Sequence, residues 1–564
     1  MLIFLIVLIS FGAIDIDANQ WSKNYSLPGD QNILTSINRK NIFNKSSREL
    51  NEQSAKGLSH ALFYPVATTR FLLSFDTLKT VFEPNSKVGE KKYTQIARKV
   101  LERKFNVTSY VDLFNQVGMH NYPHSIEQNY NIPYIPKEKK SLPMGTTVIN
   151  RYGASGLTFS CAGCHSSNLF GVKVLGLTNR FPRANEAFSL LKKASPLLNP
   201  HIYKELVNPN DGDFKIYSET AQALKFIGAK KPKTLGLDTS LAHTALSLFK
   251  RADDEYASLI PQNAIESSNP LSYIPADSKP GVWWNLKYKT RWLLDGSLVS
   301  GNPIYTNILW NEIGRGANLR DLENWLDQNQ SIVNDLTTAV FNLDAPKYSD
   351  FFNTRKLDLD SAKRGGEIFH KSCHRCHGIY EKAWDLKEAY TFSTEEQLIT
   401  TKVHYFKKTP VVDVETDPYR HQGMKHFYKR LNKLKLSKKN DIKIEPQRGY
   451  VPPPLEGIWA RWPYMHNNSI PSLCELLTVE SKRKPFYYAV PPKNQESDFD
   501  QECNGYPKVS QLKPEQKREK FQYLTKKKGL SNQGHSKGIL EDFEGNEYYS
   551  KQEKIDLVNF LKTL

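Results

Sequence analysis

Cysteine is scarce: six occur in 564 residues, far below the density of a disulfide-built scaffold, so the chain must fold on an ordinary apolar core. Beyond Ile14 no apolar run approaches the roughly 20 residues that a membrane-spanning helix needs, which excludes a polytopic membrane protein. Hydrophobic residues at 39% and charged residues at 24% exclude a wholly disordered chain. Acidic residues fall short of basic ones, 59 against 77, leaving a net charge of +18 and a pI near 9.3. Such a surface attracts anions, but it comes without a recognisable nucleic-acid reading motif, so no nucleic acid is expected as a partner. An acidic protein or an anionic membrane surface fits better.

What is present begins with length, which exceeds what one core usually serves and predicts two large domains. The opening "MLIFLIVLISFGAIDIDANQ" holds an apolar run from Leu2 to Ile14 that stops at Asp15 and Asp17. Residues 1–18 read as an export signal, although no Lys or Arg precedes the run and Ile16-Asp17-Ala18 is an imperfect cleavage site; a buried N-terminal element is the alternative. Export places the chain in the periplasm or outside the cell, tethered if the signal is retained.

Residues 19–56, rich in Asn, Ser and Lys, read as a loosely ordered lead-in. An N-terminal domain over 57–345 and a C-terminal domain over 346–564 follow, with the boundary near "LDAPKYSDFFNTRKLDLD" (343–360). The apolar spacing is mainly helical: Leu241, Ala245, Leu248 and Phe249 share one face, as do Leu319, Leu322 and Leu326, and Leu557, Phe560, Leu561 and Leu564 predict a docked C-terminal helix. The expected fold class is mainly α with long irregular loops and few strands. The basic stretch "MKHFYKRLNKLKLSKKNDIKI" (424–444) reads as a solvated face or a docking patch for an acidic redox protein.

Four of the six cysteines fall into two like phrases, "FSCAGCHSS" with Cys161, Cys164 and His165, and "SCHRCHG" with Cys373, Cys376 and His377. Cysteines three apart lie within about one helical turn, so both can form thioethers to the vinyl groups on one edge of a haem, and the adjacent histidine supplies a neutral imidazole as proximal iron ligand. Zinc ribbons keep their two pairs roughly 15 to 20 residues apart, whereas His165 and His377 are separated by 212. A thioredoxin-type pair needs a preceding strand and a following helix, and the second motif follows a helix-like stretch. Simple disulfides leave both histidines unexplained. Two covalently bound haem c groups are therefore expected, and an aromatic share of 12% suits large flat ligands. Cys474 and Cys503 read either as a disulfide or as buried small apolar residues.

The phrase "SAKRGGEIFHKSCHRCHGIY" looks like the start of a class I cytochrome c domain, in which a helix carrying Gly365 and Phe369 ends four residues before the first haem cysteine and Gly365 allows close packing on the C-terminal helix. Together with "LPMGTTVINRYGASGLTFSCAGCHSSNLFGVKVLGLTNRF", "PPPLEGIWARWPYMHNNSIPSLCELL" and "KKGLSNQGHSKGIL", in that order, it resembles the rubber oxygenase-like branch of the bacterial di-haem cytochrome c peroxidase superfamily over roughly residues 140–564.

That resemblance implies two cytochrome c-like haem domains packed together, with His165 and His377 as proximal ligands. It implies His535 as sixth ligand of the C-terminal haem, with Met465 and His466 as competing candidates. Trp283 and Trp284, in "SKPGVWWNLKYKTRWLLDG", are implied near the open face of the N-terminal haem or between the haems, as candidate catalytic residues. No carboxylate or histidine can be placed as a peroxidase acid-base residue, which favours O₂ over peroxide. Some superfamily members carry a bridging calcium, which nothing in this sequence indicates. Two functions follow: an oxidoreductase whose haem at His165 meets O₂ or peroxide while the other transfers electrons, or a plain electron carrier with both irons six-coordinate. No organic substrate is implied.

Overall fold

The computed structural model describes residues 40–63, 72–83, 90–133, 141–194, 199–251, 256, 269–426 and 428–564; the expected export signal and residues 19–39 of the lead-in lie outside them. The chain is mostly helical with small scattered sheets. Among the described residues no helix is long and apolar enough to cross a membrane.

The helix Leu359–Ser372 starts where the Asp358 carboxylate accepts the Asp360 and Ser361 N–H groups, and it buries Ser361, Ala362, Gly365, Gly366 and Phe369. This face receives the terminal helix Lys551–Lys562, whose first turn is closed by reciprocal bonds between Ser550 and Glu553. A Cβ at Gly365 would overlap the Asp556 carbonyl oxygen, and Phe369 meets Phe560 with ring centroids 5.2 Å apart. The close packing expected of Gly365 is present. The helix does not stop four residues short of the motif, because Cys373 N–H continues the ladder to Phe369 O at 2.8 Å. Gly365→Ala is expected to lower stability by about 2 kcal/mol in urea unfolding, since the overlap with backbone outweighs the roughly 1 kcal/mol of helix propensity that alanine returns.

Beside this crossing, buried Asp556 accepts two bonds from Arg364 at 2.9 Å and one from Ser361 at 2.5 Å. Burial alone would raise its pKa, but Arg364, Ser361 and Gln552 together hold it below the ordinary 3.8. A carboxylate with a depressed folded pKa stabilises above its unfolded pKa and loses that contribution as pH falls through the folded value. Asp556→Asn should therefore destabilise the protein at pH 7 and flatten the acid limb of a stability-pH curve below about pH 4.

A second helix pair matches the first. Ser47–Phe63 lies on Gln330–Asn342, and here a Cβ at Gly57 would overlap the Asp335 carbonyl oxygen. Residues 47–56 of the expected loose lead-in are thus helical. Ser46 and Glu49 exchange capping bonds of 2.7 to 3.3 Å, and the buried face is Leu62 with Ser54, Gly57 and Ala61, three small residues that a search for large apolar periodicity passes over.

The N-terminal half carries more strand than expected. Thr146–Arg151 pairs antiparallel with Ala154–Phe159 through a Tyr152-Gly153 turn, and Ser166–Leu169 pairs with Val172–Leu175 through Phe170-Gly171. Both turns have two successive positive φ angles (58° and 75°, 53° and 96°), the backbone that two-residue hairpins favour. The first Cys-x-x-Cys-His lies between these hairpins, followed by a strand, so a thioredoxin-like strand-motif-helix order is absent there too.

One hydrophobic core runs from Ala61 to Leu564 and crosses the expected boundary. Residues 450–466 join the halves: Trp284 Nε1 donates to Glu456 O (2.9 Å), Asn285 Nδ2 to Pro454 O (3.0 Å), and buried Arg180 to Ala460 O (2.7 Å) and Trp462 O (2.8 Å). Cys474 and Cys503 form a disulfide. Part of the basic stretch is matched internally, with Lys435 and Lys439 on Glu323, Lys439 also on Asp327, and Lys443 on Glu445.

A cavity shared by two Cys-x-x-Cys-His motifs

The two motifs have the same backbone wiring although one follows a strand and the other a helix. Cys161 O accepts from Cys164 N (3.2 Å) and His165 N (3.1 Å); Cys373 O accepts from Cys376 N (3.2 Å) and His377 N (3.1 Å). Each turn therefore presents its two sulfurs and its imidazole from one short loop. Burial pushes the thiols up, to about 11 for Cys161 and about 12 for the other three, the opposite of a reactive redox dithiol.

Both imidazoles are aimed by the same device. His165 Nδ1 lies 3.0 Å from Gly281 O and His377 Nδ1 3.0 Å from Pro453 O. A carbonyl oxygen only accepts, so Nδ1 carries the proton and Nε2 keeps its lone pair. Removal from solvent pushes each pKa down to about 4, so both rings are neutral, as iron ligation requires.

Cys161, His165, Cys373, Cys376 and His377 open onto one cavity whose lining is predominantly apolar. Among the described residues no Asp or Glu lines it, and no three His, Cys, Asp or Glu side chains gather as a separate metal site. His535 also faces this cavity. It has φ 51°, a left-handed conformation rare for a histidine, directly after Gly534 at φ 77°, which glycine adopts freely. The turn is held by His535 N–H on Val414 O (2.8 Å), Gly534 N–H on Glu480 Oε2 (2.7 Å), and Arg483 donating to Gly534 O and His535 O. Its Nδ1 is buried without a partner. Burial lowers its pKa to about 3, and the nearby His377 adds to that shift, so the two imidazoles sense each other.

His466 and Met465 line the cavity as well. His466 stacks on Tyr450 with centroids 3.9 Å apart, and the charges it senses are Arg420, Lys279 and His421 rather than His377. Of the two tryptophans, Trp283 lines the cavity. Trp283 lies against the His165 ring at 5.2 Å; its N–H is tied to Gly176 O, and Gly281, two residues before it, holds His165 Nδ1. Trp284 is fully buried, does not line the cavity and bonds to Glu456 O. Sequence reasoning missed Gly281, Pro453, and the cations Lys279, Lys289, Arg420 and Arg461 that face the cavity. The only local signals for them were the Pro-Gly step at 280–281 and the triple proline at 452–454.

Residues 449–488 match a family model described as RoxA-like, cytochrome c-like. The matched segment supplies Pro453, Arg461, Met465 and His466, one wall of the cavity. Being cytochrome c-like, it implies at least one haem c. Two uncharacterised proteins of Sinorhizobium fredii are similar: y4iM, 26% identical over 233 residues (37% of this chain and 49% of the relative), and y4iJ, 34% identical over 126 residues (22% and 19%). The chain thus spans about half or less of the length of these relatives. The residues fit a covalent haem, given paired thiols beside an imidazole with a free Nε2, an apolar cavity, and a further buried histidine with an unpartnered nitrogen.

Proposed function

We propose that this chain is an exported di-haem c-type cytochrome acting as an oxidoreductase, with the haem at His165 open to O₂ or peroxide and the haem at His377 closed by His535 and transferring electrons. The observation that carries the reading is that both motifs, with identical backbone wiring and identically oriented imidazoles, open onto a single cavity. A bound haem would supply one-electron transfer and a place for a small oxidant to react.

Within this reading, Cys161 and Cys164 hold one group and Cys373 and Cys376 the other, while Gly281 O and Pro453 O fix the ligating tautomers. Trp283, in contact with the His165 ring, would exclude water from around that imidazole. The lack of carboxylates in the described lining removes the usual proton donors for peroxide cleavage, which favours O₂. Export to the periplasm, and an acidic redox protein docking on the basic surface, belong to the same proposal.

The test is intact-mass analysis with absorption and electron paramagnetic resonance spectra of the protein matured in a periplasmic c-type system. Two attached haems, with one binding CO when ferrous, are expected. Two low-spin haems inert to CO would make the chain an electron carrier, and no attached haem would end the reading.

A further inference from the structure

The cavity has a charge pattern that the iron ligands do not explain. Four basic side chains face it, Lys279, Lys289, Arg420 and Arg461, and among the described residues no carboxylate does. Arg420 is 2% exposed, yet its Nε and Nη1 have no partner, and the cavity-lining Thr416 hydroxyl is likewise unbonded. Lys289 is buried, and among the described residues no hydrogen-bond partner holds its ammonium. Arg461 uses one N–H on Pro454 O at 2.7 Å, and Lys279 donates to Pro463 O at 2.5 Å. The anions nearby lie behind this layer: Asp277 and Asp295 are felt by Arg420, and Glu456 by Arg461, but none of the three reaches the cavity.

The cations also repel one another. Burial is the main reason that Lys279 and Lys289 fall below the ordinary lysine range, Lys289 to about 7, and Arg461 pushes both in the same direction. Burying such groups without a counter-charge costs stability or drives the lysines neutral, and an anion in the cavity would restore their charge and complete the layer.

We propose that Lys279, Lys289, Arg420 and Arg461 form a carboxylate-binding cage for the propionates of the haems. The inference rests on the di-haem reading and deepens it. Two haems bring four carboxylates into the cavity, and the four cations match them in number and sign. Guanidinium groups give paired, charge-assisted hydrogen bonds to carboxylate, so Arg420 and Arg461 anchor while the two ammonium groups neutralise. Holding a propionate ionised beside a cation leaves the haem less negative than an unpaired propionate would. Removing the cation favours the ferric state and lowers the midpoint potential.

The test is a spectroelectrochemical titration of the holoprotein carrying Arg420→Gln, Arg461→Gln or Lys289→Met, at several pH values. The cage predicts that each variant keeps two attached haems, that one midpoint moves to lower potential, and that this midpoint becomes more pH-dependent in the mildly acidic range. Arg420→Lys, which retains the charge, should restore most of the shift. Should either arginine variant fail to fold, Lys289→Met still decides, since among the described residues that ammonium has no hydrogen-bond partner. Unchanged potentials with two haems attached would overturn the cage while leaving the di-haem reading intact. Absence of haem from the unsubstituted protein would instead overturn the reading on which the cage rests.

Discussion

Replacing Cys373 and Cys376 together by alanine is expected to halve the covalently bound haem, and replacing Cys161 and Cys164 to remove the other half. Each pair sits on one short turn whose first cysteine carbonyl accepts the N–H groups of the second cysteine and the histidine, which keeps the two sulfurs within reach of one group. No other described cysteine is available to substitute, because Cys474 and Cys503 are bonded to each other. Intact mass and the alkaline pyridine haem spectrum count the loss directly. The two variants should also differ in character. The chain that keeps only the His165 site should bind CO when reduced, and the chain that keeps only the His377 site should remain low-spin and inert. Equal haem content in both variants and the parent would sink the assignment of the motifs.

The second large effect is expected at His535. His535→Ala should convert the C-terminal haem from low-spin to high-spin and raise CO binding by the ferrous protein from one equivalent to two. Met465→Leu and His466→Ala should leave the spin state unchanged. The argument is positional. His535 is held in a left-handed turn by Val414, Glu480 and Arg483, with its Nδ1 buried and unpartnered, and its electrostatic neighbour is His377. His466 is instead committed to a parallel stack on Tyr450 beside Arg420 and Lys279. An unchanged spectrum in the His535 variant, with a high-spin signal in the His466 variant, would exchange their roles.

Local features of the fold were readable from spacing. The helices Leu241–Phe249, Leu319–Gln328 and Lys551–Lys562 follow apolar residues that recur at helical intervals, and those residues are largely buried. The helix Ser47–Phe63 was not readable, because its buried face is built from Ser54, Gly57 and Ala61, whose value lies in what they allow to approach rather than in apolar area. The hairpins around the first motif were missed for a related reason. Their signal is a pair of X-Gly turns at Tyr152-Gly153 and Phe170-Gly171, with strands of only four to six residues between.

The site divides along the same line. The chain's own letters determined where a thioether-and-imidazole chemistry can occur, because Cys-x-x-Cys-His is complete within five residues and its geometry is local. That Trp283 lies against His165, which imidazole lies near His377, and that four cations, with no facing carboxylate among the described residues, line the space between the motifs were decided only by tertiary structure. These relations join residues up to several hundred positions apart, brought together by burial of a common core, and no spacing along the chain encodes a distance of that kind.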